Sequence, residues 1–142
     1  KMRYIEFFDF QIDVQPETMQ CSIPKMTIQP LIENAIYHGV RHTKRKGFVE
    51  VSIFIKDTRL HIIVRDNGAG ISKEKIDELM VDSTANIINR NFGISSVVHR
   101  LNYYFNNDAK LLIDSCINSY TSVSITIPNI KYLQEEANNP NE

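Results

Sequence analysis

Residues 33–38 combine side chains that could together bind a charged ligand. Asn34 and His38 are four residues apart, so in a helix they share one face, with Glu33 and Tyr37 beside them. An amide oxygen suits a hard cation such as magnesium, and an imidazole N–H can donate to a phosphate. Taken by itself, this segment favours an ordinary amphipathic helix with a polar rim and a histidine near its C-terminal end. A second segment changes that interpretation.

The second segment is the loop Asp66-Asn67-Gly68-Ala69-Gly70, which follows the apolar run 60–64. Its glycines allow a sharp turn and a close approach of backbone to ligand, and the Asp66 carboxylate can accept from an exocyclic amine such as adenine N6. Asp-Asn-Gly is also a common hairpin turn, but a hairpin would continue into a strand. Residues 71–80 instead carry apolar side chains at helical spacing. The two segments together therefore predict an ATP site.

The first segment requires a helix to position its polar side chains. Apolar residues at helical spacing predict this helix over about 28–37, and Gly39 stands where a helix would stop. Pro30 fits only in the first turn, where a missing N–H breaks no intrahelical bond. We expect Thr27 or a neighbour to cap it.

The remaining elements imply an α+β domain. A short helix is predicted after Ser72, which can serve as its N-cap, and another from about 93 to 105. The polar stretch 82–86 suits either a mobile lid over a nucleotide or an ordinary loop. The implied architecture is a helix layer on one face of a mixed, mostly antiparallel sheet. Alternating patterns predict the strands at 8–14, 49–56, 59–65, 110–114 and 122–127.

Three motifs carry a resemblance to a known family. Glu33-Asn34-Ala35 with His38-Gly39 resembles the N box of sensor histidine kinases, and Asp66 to Gly70 resembles their G1 box. Residues 91–101 resemble the G2 box and following helix of the LytS/YesM-like branch. The likeness extends from about 7 to 127, with the boxes in the family's order and spacing. It implies the GHKL superfamily and its Bergerat ATP-binding fold, a two-layer α/β sandwich.

The resemblance also implies roles for particular residues. Asn34 would hold Mg2+ and act in catalysis, with Glu33 as a further polarising group. Adenine would lie near Asp66 and Gly70, and the phosphates of ATP would lie at the N-box helix and the Gly93 loop. Catalysis would then consist of positioning the γ-phosphoryl group and neutralising its charge. The ATP-binding residues implied are Asn34, Tyr37, His38, Asp66, Gly68, Gly70, Ile71, Gly93, Ile94 and Ser95.

Two positions depart from the family pattern. Tyr37 stands where the N box usually carries a lysine that reaches phosphate, so weakened ATP affinity is predicted. Asn91 replaces the first G2 glycine and should be tolerated, because Asn adopts a left-handed backbone more readily than most residues. A nearby basic run could supply the missing charge, although a solvated turn is the preferred interpretation. Its candidate residues are Arg41, Lys44, Arg45 and Lys46.

The N box also distinguishes phosphoryl transfer from hydrolysis. Related ATPases carry a glutamate four residues before the metal-binding asparagine, where this chain has Pro30. Proline cannot act as a general base, so rapid hydrolysis should be absent and transfer to another acceptor is favoured. An anti-sigma-factor-type serine kinase and a degenerate domain that binds a partner without catalysis remain as alternatives.

Composition agrees with one cytoplasmic module. The chain has 142 residues and a net charge of −1, which gives no electrostatic footprint for nucleic acid. It has no apolar run long enough to span a membrane. Cys21 and Cys116 are expected to be reduced thiols, with a single disulfide between them as the alternative.

We expect the chain to be a fragment of a longer sensor. Residues 1–6 would end a linker from a missing dimerisation and phosphoacceptor segment, 7–128 would be the catalytic ATP-binding domain, and 129–142 a polar C-terminal tail. No histidine here stands in a phosphoacceptor context. The expected partners are therefore ATP, the phosphoacceptor-histidine segment of the parent chain and a response regulator, with no nucleic acid and no membrane contact by this fragment. The parent protein is expected to be anchored in the cell membrane.

Overall fold

The computed structural model of the chain describes residues 8–85 and 93–129, with the backbone alone at 81–85. Within these ranges five strands form one sheet in the order β1-β2-β3-β5-β4. Only the β1 and β2 pair is parallel; the other three pairings are antiparallel. The predicted α+β class with a mixed, mostly antiparallel sheet is confirmed. The strands are β1 (Phe8–Val14), β2 (Gly47–Lys56), β3 (Arg59–Asp66), β4 (Lys110–Cys116) and β5 (Tyr120–Pro128).

The sheet buries one face, which explains the alternating sequence of its central strands. Side chains that point to the buried face are almost wholly inaccessible, whereas their neighbours along each strand are partly exposed. The strands are longer than predicted at several ends, because pairing continues through polar residues such as Asp66 and Tyr120. The buried face is formed by Val49, Val51, Leu60, Ile62, Val64, Val123, Ile125 and Ile127.

Helices make the second layer. They are α1 (Gln29–Asn34), α2 (Lys73–Ala85) and α3 (Ile94–Tyr104). α1 and α3 cover the buried face of the sheet, and α2 packs against α3. Leu31 of α1 and Val97 and Leu101 of α3 are at most 1% exposed and join the strand side chains in one core. Apolar residues at helical spacing therefore fold against the sheet as a two-layer sandwich.

The first helix differs from its prediction at both ends. Its N-cap is Ile28 with no side-chain cap, so the expected capping by Thr27 is wrong. The Thr27 hydroxyl instead donates to the carbonyl of Pro24 at 2.7 Å. Pro30 lies in the first turn, as predicted. Beyond α1 the chain continues in a π-helical turn (Ala35–Gly39) and a 3-10 turn (Val40–His42), so Gly39 does not end the helical path.

The segment after the glycine loop is more helical than predicted. The Ser72 hydroxyl accepts from the Lys75 N–H at 3.2 Å, which confirms its capping role. α2 continues to Ala85, so the part of the predicted lid or loop at 82–85 is helix. The remainder of that stretch, Asn91, the linker 1–6 and the tail beyond Asn129 lie outside the described residues.

The described ranges also bear on membrane-spanning helices and on the state of the two cysteines. No helix there is long and apolar enough to cross a membrane. Cys21 and Cys116 are both thiols, as expected.

Candidate ATP-binding site

Asp66 is the buried acid of the candidate site. It ends β3 with its side chain on the covered face of the sheet, where only 3% of its surface is exposed. Its Oδ1 accepts the Gly68 N–H at 2.8 Å, and burial raises the pKa of the carboxyl to about 6 although that hydrogen bond lowers it. A buried carboxylate with one oxygen held by the backbone, and the other not hydrogen-bonded to any described residue, can accept from a ligand N–H.

The structure brings the two sequence motifs into direct contact. A Cβ built on Gly39 would lie 2.5 Å from Asp66 Oδ1, which is shorter than any real contact of a Cβ atom. The Gly39 carbonyl also accepts the Ala69 N–H at 3.2 Å. Gly39 is therefore required because the end of the helical segment packs directly on the acidic side chain.

The glycine loop turns against the hairpin between β4 and β5. Gly70 has φ of +73°, and a Cβ there would lie 2.2 Å from the Cys116 carbonyl oxygen. The next residue, Ile71, donates its N–H to the Ser115 hydroxyl at 2.7 Å. The loop is thus held by Gly39 on one side and by the β4–β5 hairpin on the other. It contains three residues predicted to bind ATP, Gly68, Gly70 and Ile71.

The helical segment presents the polar residues of the first motif. Asn34 is the last residue of α1 and half-buried, and its amide makes no side-chain hydrogen bond with the part of the chain that the structure describes. Tyr37 and His38 lie exposed in the π-helical turn, a feature often found at functional sites. Glu33 is turned along the helix, where its Oε1 accepts the Gln29 amide at 2.9 Å.

The third predicted segment begins α3. Gly93 has an extended backbone at the N-cap, followed by the buried Ile94 and half-buried Ser95. The first N–H groups of a helix have no acceptor within it, so they can bind an anion. Arg100 fixes this helix on α1, because its guanidinium donates to the carbonyls of Lys25 and Met26 just before α1.

Sequence reasoning missed several residues that support the site. Thr121 of β5 pairs with Asp66 in register, is 2% exposed and bonds through its hydroxyl to Ser115. The Asn67 side chain accepts the Phe48 N–H at 2.7 Å and so ties the glycine loop to β2. No sequence signal distinguishes Thr121 from any other threonine of a strand, because its role depends on burial beside the acid.

The basic run is exposed, as the preferred interpretation predicted. The contacts of Arg45 were not predicted, because its guanidinium donates to backbone carbonyls on two loops. Lys46 pairs with the Asp9 carboxylate at 2.9 Å, with both side chains exposed. Arg41 places its guanidinium carbon 5.9 Å from the centre of the Tyr37 ring.

The donor set is compatible with magnesium that arrives with a polyphosphate. Among the described residues no group of three or more His, Cys, Asp or Glu side chains could form a protein cage for a metal ion. Magnesium commonly takes one or two protein oxygens and completes its shell with water and substrate phosphates. The accessible amide oxygen of Asn34 fits that pattern.

Comparison with known proteins agrees with these features. The family described as histidine kinase-, DNA gyrase B-, and HSP90-like ATPase matches residues 24–130. The putative uncharacterized protein YwpD of Bacillus subtilis is 32% identical over all of this chain and 48% of that protein. The sensor histidine kinase/phosphatase LytS of Staphylococcus aureus is 35% identical over 80% of this chain and 20% of LytS. The chain therefore spans about half or less of these curated relatives.

Solved structures agree on the fold. The catalytic domain of histidine kinase ThkA superposes with a TM-score of 0.63 at 15% identity, over 86% of this chain and 80% of that one. The predicted Bergerat fold is thus confirmed. The chain belongs to the histidine kinase-, DNA gyrase B- and HSP90-like ATPase family and has the fold of the ATP-binding catalytic domains of sensor histidine kinases.

Proposed function

We propose that the chain binds MgATP and transfers the γ-phosphoryl group to a histidine on a segment outside it, as the catalytic domain of a sensor histidine kinase. The observation that carries this proposal is the contact between Gly39 and the buried Asp66, which joins the N-box-like helix to the G1-like loop. Asp66, which would accept from an exocyclic amine, and the polar residues of the helical segment, which would bind phosphates, therefore belong to one site.

The adenine end of the ligand is assigned to the glycine loop. Asp66 accepts the exocyclic amine of adenine, and its burial strengthens this interaction because water does not compete for the carboxylate. Guanine carries a carbonyl at the corresponding ring position. That oxygen and the carboxylate are both hydrogen-bond acceptors, so no hydrogen bond could form between them. Gly68, Gly70 and Ile71 supply backbone that can approach the ring closely. Adenine selectivity follows.

The phosphate end is assigned to the helical segment and the start of α3. Asn34 holds magnesium, while His38 donates to a phosphate and Tyr37 occupies the rim beside it. Magnesium, when bound, neutralises part of the charge on the phosphate oxygens. The backbone at Gly93, Ile94 and Ser95 donates to phosphate at the start of α3. Glu33 acts at most indirectly, since its carboxylate is bonded to Gln29.

Pro30 supports transfer in preference to hydrolysis. It is buried in the first turn of α1, where it has neither a proton acceptor nor a carboxylate to activate water. A water molecule near the γ-phosphate would then lack a general base at this position. We expect slow hydrolysis by the chain alone.

The domain assignment and partners follow the same proposal. Residues 7–128 form the catalytic ATP-binding domain, 1–6 end a linker from the phosphoacceptor segment, and 129–142 form a polar tail. The proposal places this chain in the cytoplasm and its parent protein at the membrane. A response regulator would receive the phosphoryl group from the phosphorylated histidine. The name of the LytS relative, a sensor histidine kinase/phosphatase, supports this choice.

The test is calorimetric titration with a non-hydrolysable ATP analogue, with and without magnesium, and with the guanine analogue as a control. Adenine-selective binding that magnesium enhances is expected. Asn34→Ala should remove the magnesium enhancement, whereas the control Gln29→Ala, which deletes an amide from the same helix, should keep it.

The alternative functions predict different results in binding, hydrolysis and phosphorylation assays. No binding of either nucleotide would reject the kinase proposal and favour a partner-binding module. Rapid steady-state ATP hydrolysis without an acceptor would instead indicate an ATPase. Phosphorylation of a serine on a matched partner would indicate a serine kinase.

A further inference from the structure

Arg45 makes an unusual set of contacts beside the glycine loop. It lies just before β2, and its guanidinium donates to four backbone carbonyls on two separate loops. Nε donates to Asn67 at 3.0 Å and Nη1 to Asn118 at 2.8 Å, while Nη2 reaches Asn67, Gly68 at 3.1 Å and Ser119 at 3.0 Å. The side chain therefore joins the loop after β3 to the turn between β4 and β5.

The contact with Asn67 has a direct consequence for Asp66. The carbonyl of Asn67 and the N–H of Gly68 belong to one planar, trans peptide unit, so they point in opposite directions. Arg45 holds the carbonyl end with two N–H groups, and Asp66 Oδ1 accepts from the N–H end at 2.8 Å. One peptide unit thus connects a cation to a buried carboxylate.

From this chain of contacts we infer that Arg45 is a positioning residue for adenine recognition, which orients the Asp66 carboxylate through the Asn67–Gly68 peptide. This inference rests on the proposed function, in which Asp66 binds the exocyclic amine. With the peptide held, Gly68 occupies Oδ1 and leaves Oδ2 for the ligand. If the peptide rotated, Oδ1 would lose its partner and the carboxylate would no longer be held in one orientation.

The chemistry of the contact favours arginine over lysine. A guanidinium offers five N–H donors in a rigid planar fork, which can serve convergent carbonyls on two loops. A lysine ammonium carries the same charge but only three donors at one point, so it cannot span both loops in the same way. The two loops are also joined by the Asn118 N–H, which donates to the Ala69 carbonyl at 2.7 Å. Arg45 therefore reinforces an existing junction.

The first measurement compares nucleotide affinity for four proteins: the wild type, Arg45→Ala, Arg45→Lys and Lys44→Ala. Lys44 is the adjacent exposed residue, with no side-chain hydrogen bond or salt bridge to any described residue, and its removal deletes the same charge. We expect both Arg45 variants to bind the ATP analogue about tenfold more weakly and to lose adenine selectivity, because a lost charge-assisted contact is of that order. Lys44→Ala should remain within about twofold.

The second measurement needs no nucleotide and so separates this inference from the proposed function. Amide hydrogen exchange should show about tenfold faster exchange at Gly68 in Arg45→Ala, and carbon NMR titration should show a higher pKa for the Asp66 carboxyl. The direction follows because the Gly68 hydrogen bond lowers that pKa. If the wild type bound no nucleotide, these two measurements would still show whether Arg45 orients the Asp66 carboxylate.

Three results would overturn the inference. The first is wild-type affinity and selectivity in Arg45→Lys, which would mean that charge alone suffices. The second is equal weakening by Lys44→Ala, which would indicate general attraction of the polyphosphate. The third is unchanged Gly68 exchange and an unchanged Asp66 titration in Arg45→Ala.

Discussion

Replacement of Asp66 by asparagine should separate stability from function in a way that depends on pH. The buried carboxyl has a pKa of about 6, compared with 3.8 for an unperturbed aspartate. Ionising it inside the fold is therefore unfavourable. Asparagine keeps an oxygen that can accept the Gly68 N–H but carries no charge at any pH. Asp66→Asn should stabilise the domain at neutral pH while weakening adenine selectivity.

The magnitude follows from proton linkage. Below about pH 3 the carboxyl is protonated in both the folded and the unfolded protein, and the wild type has its full stability from this group. As the pH rises toward 6 the unfolded chain ionises while the folded protein retains the proton, so unfolding becomes easier. A difference of roughly two pKa units corresponds to about 3 kcal/mol lost by the wild type above pH 6. The asparagine variant does not lose it.

Urea unfolding of both proteins from pH 3 to pH 8 measures this effect. Titration of other groups is common to the two proteins and cancels in their difference. The free energy of unfolding of Asp66→Asn, relative to the wild type, should rise by about 3 kcal/mol between pH 3 and pH 7 and then stay constant. A difference that is flat within about 1 kcal/mol, or that rises only above pH 7, would refute the account of Asp66 as a buried acid.

Three further changes test other parts of the structure. Gly70→Ala should lower the free energy of unfolding by at least about 2 kcal/mol in urea, because φ is +73° and the new Cβ would meet the Cys116 carbonyl; a change below 1 kcal/mol would contradict this geometry. Leu101→Ala should lower the same free energy by about 2–5 kcal/mol, since Leu101 is 1% exposed in the core; a loss as small as that of a surface substitution, in thermal and urea unfolding, would contradict the burial of Leu101. Tyr37→Lys should leave stability unchanged, because the side chain is 53% exposed, and should tighten binding of the ATP analogue about three- to tenfold through a charge-assisted phosphate contact; unchanged affinity by calorimetry would place residue 37 away from the phosphates.

Some local features of the fold could be predicted from breaks in the apolar pattern and from residue type. Asp57 and Thr58 both have positive φ in the tight turn between β2 and β3, at the predicted position. Ser72 caps α2 as expected. The prediction for Thr27 is wrong because the N-cap position falls one residue later, at Ile28. Whether a residue caps a helix therefore depends on where the helix begins as well as on its side chain.

The prediction that the helix after Ser72 is short, with a non-helical stretch at 82–85, is wrong. Polar residues such as Asp82 and Ser83 are common in loops, but a helix already capped at Ser72 extends through them. Propensity per residue is a weak preference, and the context of a helix can override it. Sequence could therefore place the start of α2 better than its end.

The sequence by itself determined the class of the domain, the order of its motifs and the candidate residues for a nucleotide site, because periodicity, glycine positions and polar residue types are local properties. Only the tertiary structure decided that Asp66 is buried with a raised pKa, that Gly39 packs against it, and that Arg45 binds the loop beside it. Those facts depend on atoms that are distant along the chain, such as Arg45 and Asn118. Burial, and the convergence of carbonyl oxygens on one cation, exist only after the sheet and its loops have been brought together.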